Sequence, residues 1–134
     1  MDEPQRHGDT ELDQINKITE RTIGCAIEVH RCLGPGLLES MYQRALCIEL
    51  DDAQLPYVDQ LAIPAFYKGR LVGEYHVDLL IAGLVIVEIK SVERMHPVFD
   101  AQLITYLRLT AKRVGLLLNF NSRVMREGIK RLIL

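Results

Sequence analysis

No apolar run in this sequence approaches the length that crosses a bilayer; the longest clean runs are strand-sized, which argues against a spanning helix. No secretory or mitochondrial leader is expected either, because the opening stretch, MDEPQRHGDTELDQ, is acidic and polar. Cytoplasm is therefore the expected address. Cysteine is scarce and odd in number: Cys25, Cys32 and Cys47, with no C-x-x-C spacing. That pattern does not suggest a disulfide scaffold. Cys25, His30 and Cys32 lie close in sequence, as metal ligands do, but free cysteines in a helical region are more often simply buried. No internal repeat or low-complexity segment is present. A net positive charge is lacking too: the formal value is −2, which excludes an obviously basic nucleic-acid binder.

What is there is a chain of 134 residues, 49% apolar, the common size of one domain with a real core. Charge is unevenly spread. Residues 101–134 hold one acid, Glu127, against seven bases: Arg108, Lys112, Arg113, Arg123, Arg126, Lys130 and Arg131. This quarter fits a phosphate-facing surface and an ordinary solvated face equally well.

Residues 1–10 read as a loose tail and 11–134 as a single domain. Leu12, Ile15, Ile18, Thr22, Cys25, Ala26 and Val29 recur at helical spacing. LGPG at 33–36 stops that helix. A second helix is expected over about 37–50, with Leu38, Met41, Tyr42, Ala45 and Ile48 on its apolar side. The pattern then changes to strands: 57–67, edged or broken by Pro64, then 71–81 and 84–91. The short turns KGR and AG between them argue for antiparallel pairing. The third strand, almost wholly apolar before Glu88, belongs at the centre with both faces covered. A helix over 99–111, with Leu103, Tyr106, Leu107 and Thr110 inward, leads to a buried strand at 113–120, which implies a parallel crossover. A short helical turn and a last strand follow. The expected fold is α/β, in the order ααβββαβ with a small αβ tail.

The informative acids are Asp78 in YHVDLLI and Glu88 in VIVEIKSV. With a two-residue turn at 82–83, position i pairs with about 165 − i, so Asp78 lies opposite Val87 and diagonal to Glu88. A slip of one places the two acids directly opposite. Either way they reach a shared cation. Glu88 and Lys90 are two apart, so they leave the same face of the strand. Two carboxylates, the Ile89 carbonyl and waters make a hard oxygen site suited to Mg²⁺ or Mn²⁺, and a lysine beside it suits metal-assisted phosphodiester hydrolysis. The same spacing also fits a plain salt bridge at a strand end. Glu39, early in the second helix, is a further candidate ligand, although an acid there is also favoured by the helix dipole. Gln102 and Tyr106 share one helix face directly after the ExK strand.

Taken together, Gly36, Glu39 and Tyr42 in GPGLLESMYQRAL, then YHVDLLI, LVIVEIKSVERMHPVFDAQLITYL and RVGLLLNFNSRVMREGIKRLI, carry a resemblance. The chain resembles the GxxExxY family of bacterial PD-(D/E)XK nuclease-like proteins over roughly residues 14–133. The resemblance implies a restriction-endonuclease-like core. It implies that Asp78 is the first core carboxylate, that Glu88 and Lys90 form the ExK pair, and that Glu39 is a helix-borne acid. It makes Gln102 and Tyr106 similar to a Q-x-x-x-Y element, and offers His30 as an upstream histidine. Asp78, Glu88 and Glu39 are the implied metal ligands. The expected function is a metal-dependent nuclease acting on DNA, held in a groove near the basic C-terminal segment. The alternative is a non-catalytic module that keeps the fold and binds nucleic acid or protein. A small domain of this kind also suits a homodimer or a protein partner.

Overall fold

The periodic apolar residues of the N-terminal third do form a helix, α1, over Arg6–Leu33. Ile15, Thr22, Cys25, Ala26 and Val29 are its buried stripe. The structure, a computed structural model, describes residues 6–134. Residues 6–10 form the first turns of α1, and residues 1–5 of the expected tail lie outside the described residues. The LGPG turn stops α1, and Gly36, at φ +100°, takes a backbone conformation that other residues rarely adopt. Helix α2 then runs over Glu39–Asp52.

Three strands follow: β1 over Tyr57–Tyr67, β2 over Arg70–Ile81 and β3 over Val85–Lys90. Helix α3 covers Pro97–Thr110, capped by the His96 ring, whose Nδ1 accepts a hydrogen bond from the Val98 N–H at 3.0 Å. Strand β4 spans Val114–Asn119, a 3-10 turn Met125–Gly128, and β5 Ile129–Ile133. The five strands make one sheet in the order β1-β2-β3-β4-β5. Only β3 and β4 run parallel, joined through α3; the other neighbours are antiparallel. The parallel pair is central, and nearly all its residues are buried, as expected for strands covered on both faces. Pro64 sits on the edge strand β1, where its missing N–H is tolerated.

The sheet separates two apolar layers. On one face Leu79, Ile81, Val85, Val87, Ile89, Leu116 and Leu118 pack with α1 and α2. On the other, Val77, Ile86 and Leu117 pack with Leu103, Tyr106 and Leu107 of α3. Gly115 lets α3 close down on β4: a Cβ there would lie 2.8 Å from Leu103 Cδ1.

Two expectations are corrected. The buried side of α2 is Tyr42, Leu46 and Leu50, whereas Leu38, Met41 and Ile48 are exposed. Tyr42, expected inward, stacks on Phe120 with ring centroids 4.7 Å apart, and Leu46 and Leu50 follow it inward at four-residue spacing in place of Leu38, Met41 and Ile48. The β2–β3 register is also one residue off. Ile81 pairs with Val85, so the connection has three residues and Leu84 lies in the turn. Paired positions sum to 166, as in Leu79↔Val87.

Candidate active site

The β1–β2 ladder pairs Asp59 with Leu79 and Leu61 with Val77, skipping Gln60 and Asp78 between them. Gln60 has φ +52°, a left-handed conformation that marks a local distortion. Strict alternation would put residues 77, 79 and 81 on one face. Instead Leu79 and Ile81 join the α1/α2 layer while Val77 joins the α3 layer, so β2 changes face at Asp78.

The β2–β3 ladder stops at the same level. Continued by one step, its register sets Asp78 directly opposite Glu88. There, side chains replace the ladder. The Asp78 N–H donates to Glu88 Oε2 at 2.8 Å, and the Ile89 N–H donates to Asp78 Oδ2 at 2.8 Å. Each carboxylate is thus held by the backbone of the opposite strand. Gln60 Nε2 adds a longer contact to Asp78 Oδ1 at 3.4 Å. No buried side-chain oxygen or nitrogen among the described residues lacks a partner, so Glu88 Oε1, which accepts no protein hydrogen bond, opens to solvent.

Burial and crowding raise both acids. The Glu88 carboxyl is pushed up to about 7, first by burial and then by the charge of Asp78; Glu39 adds to the rise. The Asp78 N–H and the Lys90 ammonium act the other way without cancelling it. Asp78 is raised mainly by burial, against the Ile89 N–H, Gln60 and Lys90. Lys90 leaves the same face as Glu88 but makes no ion pair with either acid among the described residues. Its Nζ stands 4.3 Å from the centroid of Phe99. The strand-end salt bridge that the spacing allowed is therefore absent.

Gln102 and Tyr106 both come to this side of the sheet. Gln102 lines a cleft with Lys90. The Tyr106 phenol is pushed up to about 12 by burial and then by the charges of Glu88 and Asp78. Glu39 is exposed at the start of α2, close enough to raise Glu88. It does not complete a cage: among the described residues no group of three or more His, Cys, Asp or Glu side chains is arranged to hold a metal. The three-acid set is thus a pair with a nearby third. The pair does fit a divalent cation in its chemistry, being two hard oxygen donors that repel one another in a buried place with no neutralising ion pair.

A family model described as the PD-(D/E)XK nuclease superfamily matches residues 16–132. The chain belongs to this superfamily. Its five-stranded mixed sheet and three helices are consistent with the restriction-endonuclease-like fold. Nucleases of this superfamily generally use divalent metals. No curated protein and no solved structure matches the chain. Among the described residues no helix is long and apolar enough to cross a membrane.

The other expected residues fare differently. His30 is buried against the loop after β4, its Nε2 donating to the Ser122 carbonyl at 2.8 Å. Tyr42 pins the LGPG turn: its hydroxyl donates to the Gly34 carbonyl at 2.5 Å and accepts from the Leu37 N–H at 3.1 Å. Ser91 Oγ donates to the Leu37 carbonyl at 2.6 Å, tying the end of β3 to the same loop. Of the C-terminal bases, Arg123 pairs with Glu127, Lys130 with Asp100 and Arg113 with Glu11, while Arg131 bonds Asn16. Sequence reading missed Gln60 and Gln43, whose Nε2 donates to Asp59 Oδ1 at 2.6 Å and to the Asp78 carbonyl at 3.1 Å. The signal available for Gln43 was its position one helical turn after Glu39.

Proposed function

We propose that this chain is a divalent-metal-dependent nuclease of the GxxExxY kind that hydrolyses phosphodiesters in DNA. The observation that carries the reading is the reciprocal hold of Asp78 and Glu88, with Lys90 beside them and outside any ion pair with either. Asp78 and Glu88 would hold Mg²⁺ or Mn²⁺, with Glu39 reaching in from α2. Bound there, the ion supplies Lewis acidity and a more acidic water for phosphodiester hydrolysis.

The protein's own groups do the rest. Glu88 gives up its proton near neutrality, so its own negative charge is in place only above about pH 7. Lys90 offers a compact positive charge to the oxygens on which charge grows in the transition state. At a partly exposed site a cation–π contact is worth only about 0.5–1 kcal/mol, so leaving Phe99 for a phosphate costs Lys90 little. Tyr106 stays protonated at working pH and remains a hydrogen-bond donor, because its phenol is pushed up to about 12. Gln102 adds an amide on the same wall.

The test is a Mg²⁺ and Mn²⁺ titration of the purified chain beside Glu88→Gln, with cleavage followed on single- and double-stranded DNA. Metal-dependent cleavage by the wild type alone supports the nuclease. A folded wild type that binds DNA in every condition and never cuts it moves the assignment to a binding module.

A further inference from the structure

On the Lys90 side of the carboxylates, residues of β2, β3 and α3 border an open cleft of about 560 Å³. Tyr75, Lys90, Val98, Phe99, Gln102 and Thr105 line it. Tyr75 is 38% exposed and leans its ring against Tyr106, centroids 5.4 Å apart with planes at 66°. Phe99 is only partly buried, and Val98 is 54% exposed. A phosphate cradle needs several cations or a row of backbone N–H groups. This lining has one cation, Lys90, and otherwise offers two aromatic rings, an aliphatic wall, one amide and the hydroxyls of Tyr75 and Thr105. Such a surface suits a flat aromatic ligand with polar edges.

We propose that the cleft between Tyr75 of β2 and Phe99 of α3 is a stacking site for an unpaired nucleobase next to the scissile phosphate. The proposal rests on the polynucleotide reading of the carboxylate site and names its substrate class: single-stranded or frayed nucleic acid. Lys90 joins the two places, because it lines the cleft and leaves the same strand face as Glu88. A base in an intact duplex has both faces covered by its neighbours and offers none to Tyr75 or Phe99. The Gln102 amide lines the cleft and suits the polar edge of a base, while the Thr105 hydroxyl, which donates to the Ala101 carbonyl at 3.0 Å, is left as an acceptor.

The sequence holds no tryptophan, so Tyr75→Trp places a single indole in the cleft as a reporter. The full-length variant is titrated in EDTA, where no cleavage occurs, with oligothymidylate, with an abasic strand of equal length and charge, and with a duplex. Oligothymidylate should quench the indole, and the abasic strand and the duplex should not. Anisotropy with labelled oligothymidylate should show binding weakened about 5-fold or more by Tyr75→Ala and by Phe99→Ala, and retained by Tyr75→Phe. Equal binding and equal quenching by the abasic strand overturn the stacking site. A duplex that binds as tightly as the single strand overturns the substrate class. Because binding is read without turnover, a protein that stacks bases but never cuts sinks the nuclease and leaves the cleft standing. A protein that cuts while Tyr75→Ala and Phe99→Ala bind unchanged does the reverse.

Discussion

Toward α1 and α2 the sheet presents Leu79, Ile81, Val85, Val87, Ile89, Leu116 and Leu118, none more than 1% exposed. Toward α3 the same strands present a smaller apolar set, with Glu88 and Lys90 at its margin. Within β3 the split is residue by residue: Val85, Val87 and Ile89 seal one layer, while Ile86, Glu88 and Lys90 face the other. The first face has no polar work to do and can be closed to water. The second must stay partly open, so its acids are held by backbone N–H groups rather than by packing alone. Alternation along a strand is what allows a structural face and a chemical face to lie a few ångströms apart.

Changes on the two faces should therefore separate stability from chemistry. The largest effect is expected for Leu116→Ala, a fully buried residue on the sealed face, which should lose about 2–5 kcal/mol by denaturant unfolding. Its counterpart, Lys90→Ala, should keep the wild-type midpoint and lose roughly 100-fold or more in cleavage rate. A Lys90→Ala protein that unfolds easily, or one that cuts at full rate, breaks the comparison.

Next in size is the pH dependence of the open face. The folded chain holds the Glu88 proton more tightly than the unfolded chain, whose carboxyl titrates near the ordinary 4.5. Stability without metal is therefore greatest below that value and falls as pH rises through the folded value of about 7. Glu88→Gln keeps an acceptor for the Asp78 N–H and removes the titration. It should match the wild type at pH 4 and exceed it by roughly 3 kcal/mol at pH 8, with Mg²⁺ closing the gap by stabilising the wild type. Unfolding curves at the two pH values decide this; parallel curves for both proteins would place the destabilising charge elsewhere.

Tyr42→Phe should have a smaller effect. It keeps the stack on Phe120 and removes the hydroxyl that holds Gly34 and Leu37. A loss of about 1–2 kcal/mol is expected in the melting analysis. The smallest effect belongs to the basic segment. Lys130→Gln and Arg123→Gln remove exposed ion pairs and should change stability by less than about 1 kcal/mol. Since both bases already have acidic partners, the salt slope of DNA binding should stay the same. A slope reduced by nearly one unit per substitution would make them phosphate contacts.

The strands, the crossover and the shared face of Glu88 and Lys90 were legible because period-two alternation and short turns are local signals. The pairing of Asp78 with Glu88 was legible only to within one residue. A two-residue AG turn and the three-residue turn that forms differ by the fate of Leu84, and both leave an apolar strand behind them. The inward side of α2 was misread for a similar reason. Leu46 and Leu50 are as apolar as Leu38, Met41 and Ile48, and both sets lie at helical spacing from Tyr42, so the helix carries two candidate faces that share this tyrosine.

By itself, then, the sequence determined the α/β order, the buried parallel centre and the presence of two acids and a lysine on adjoining strands. Those features depend on local periodicity and on residues near one another along the chain. Tertiary structure decided which face α2 buries, through a tyrosine meeting Phe120 from the far end of the chain. It also decided the face change at Asp78, through the left-handed turn of Gln60, and the fate of Lys90, which rests on Phe99 of α3 instead of pairing with the acids. Each of these is a contact between segments distant in sequence. No periodicity encodes such a contact, because its energy exists only once the chain has closed on itself.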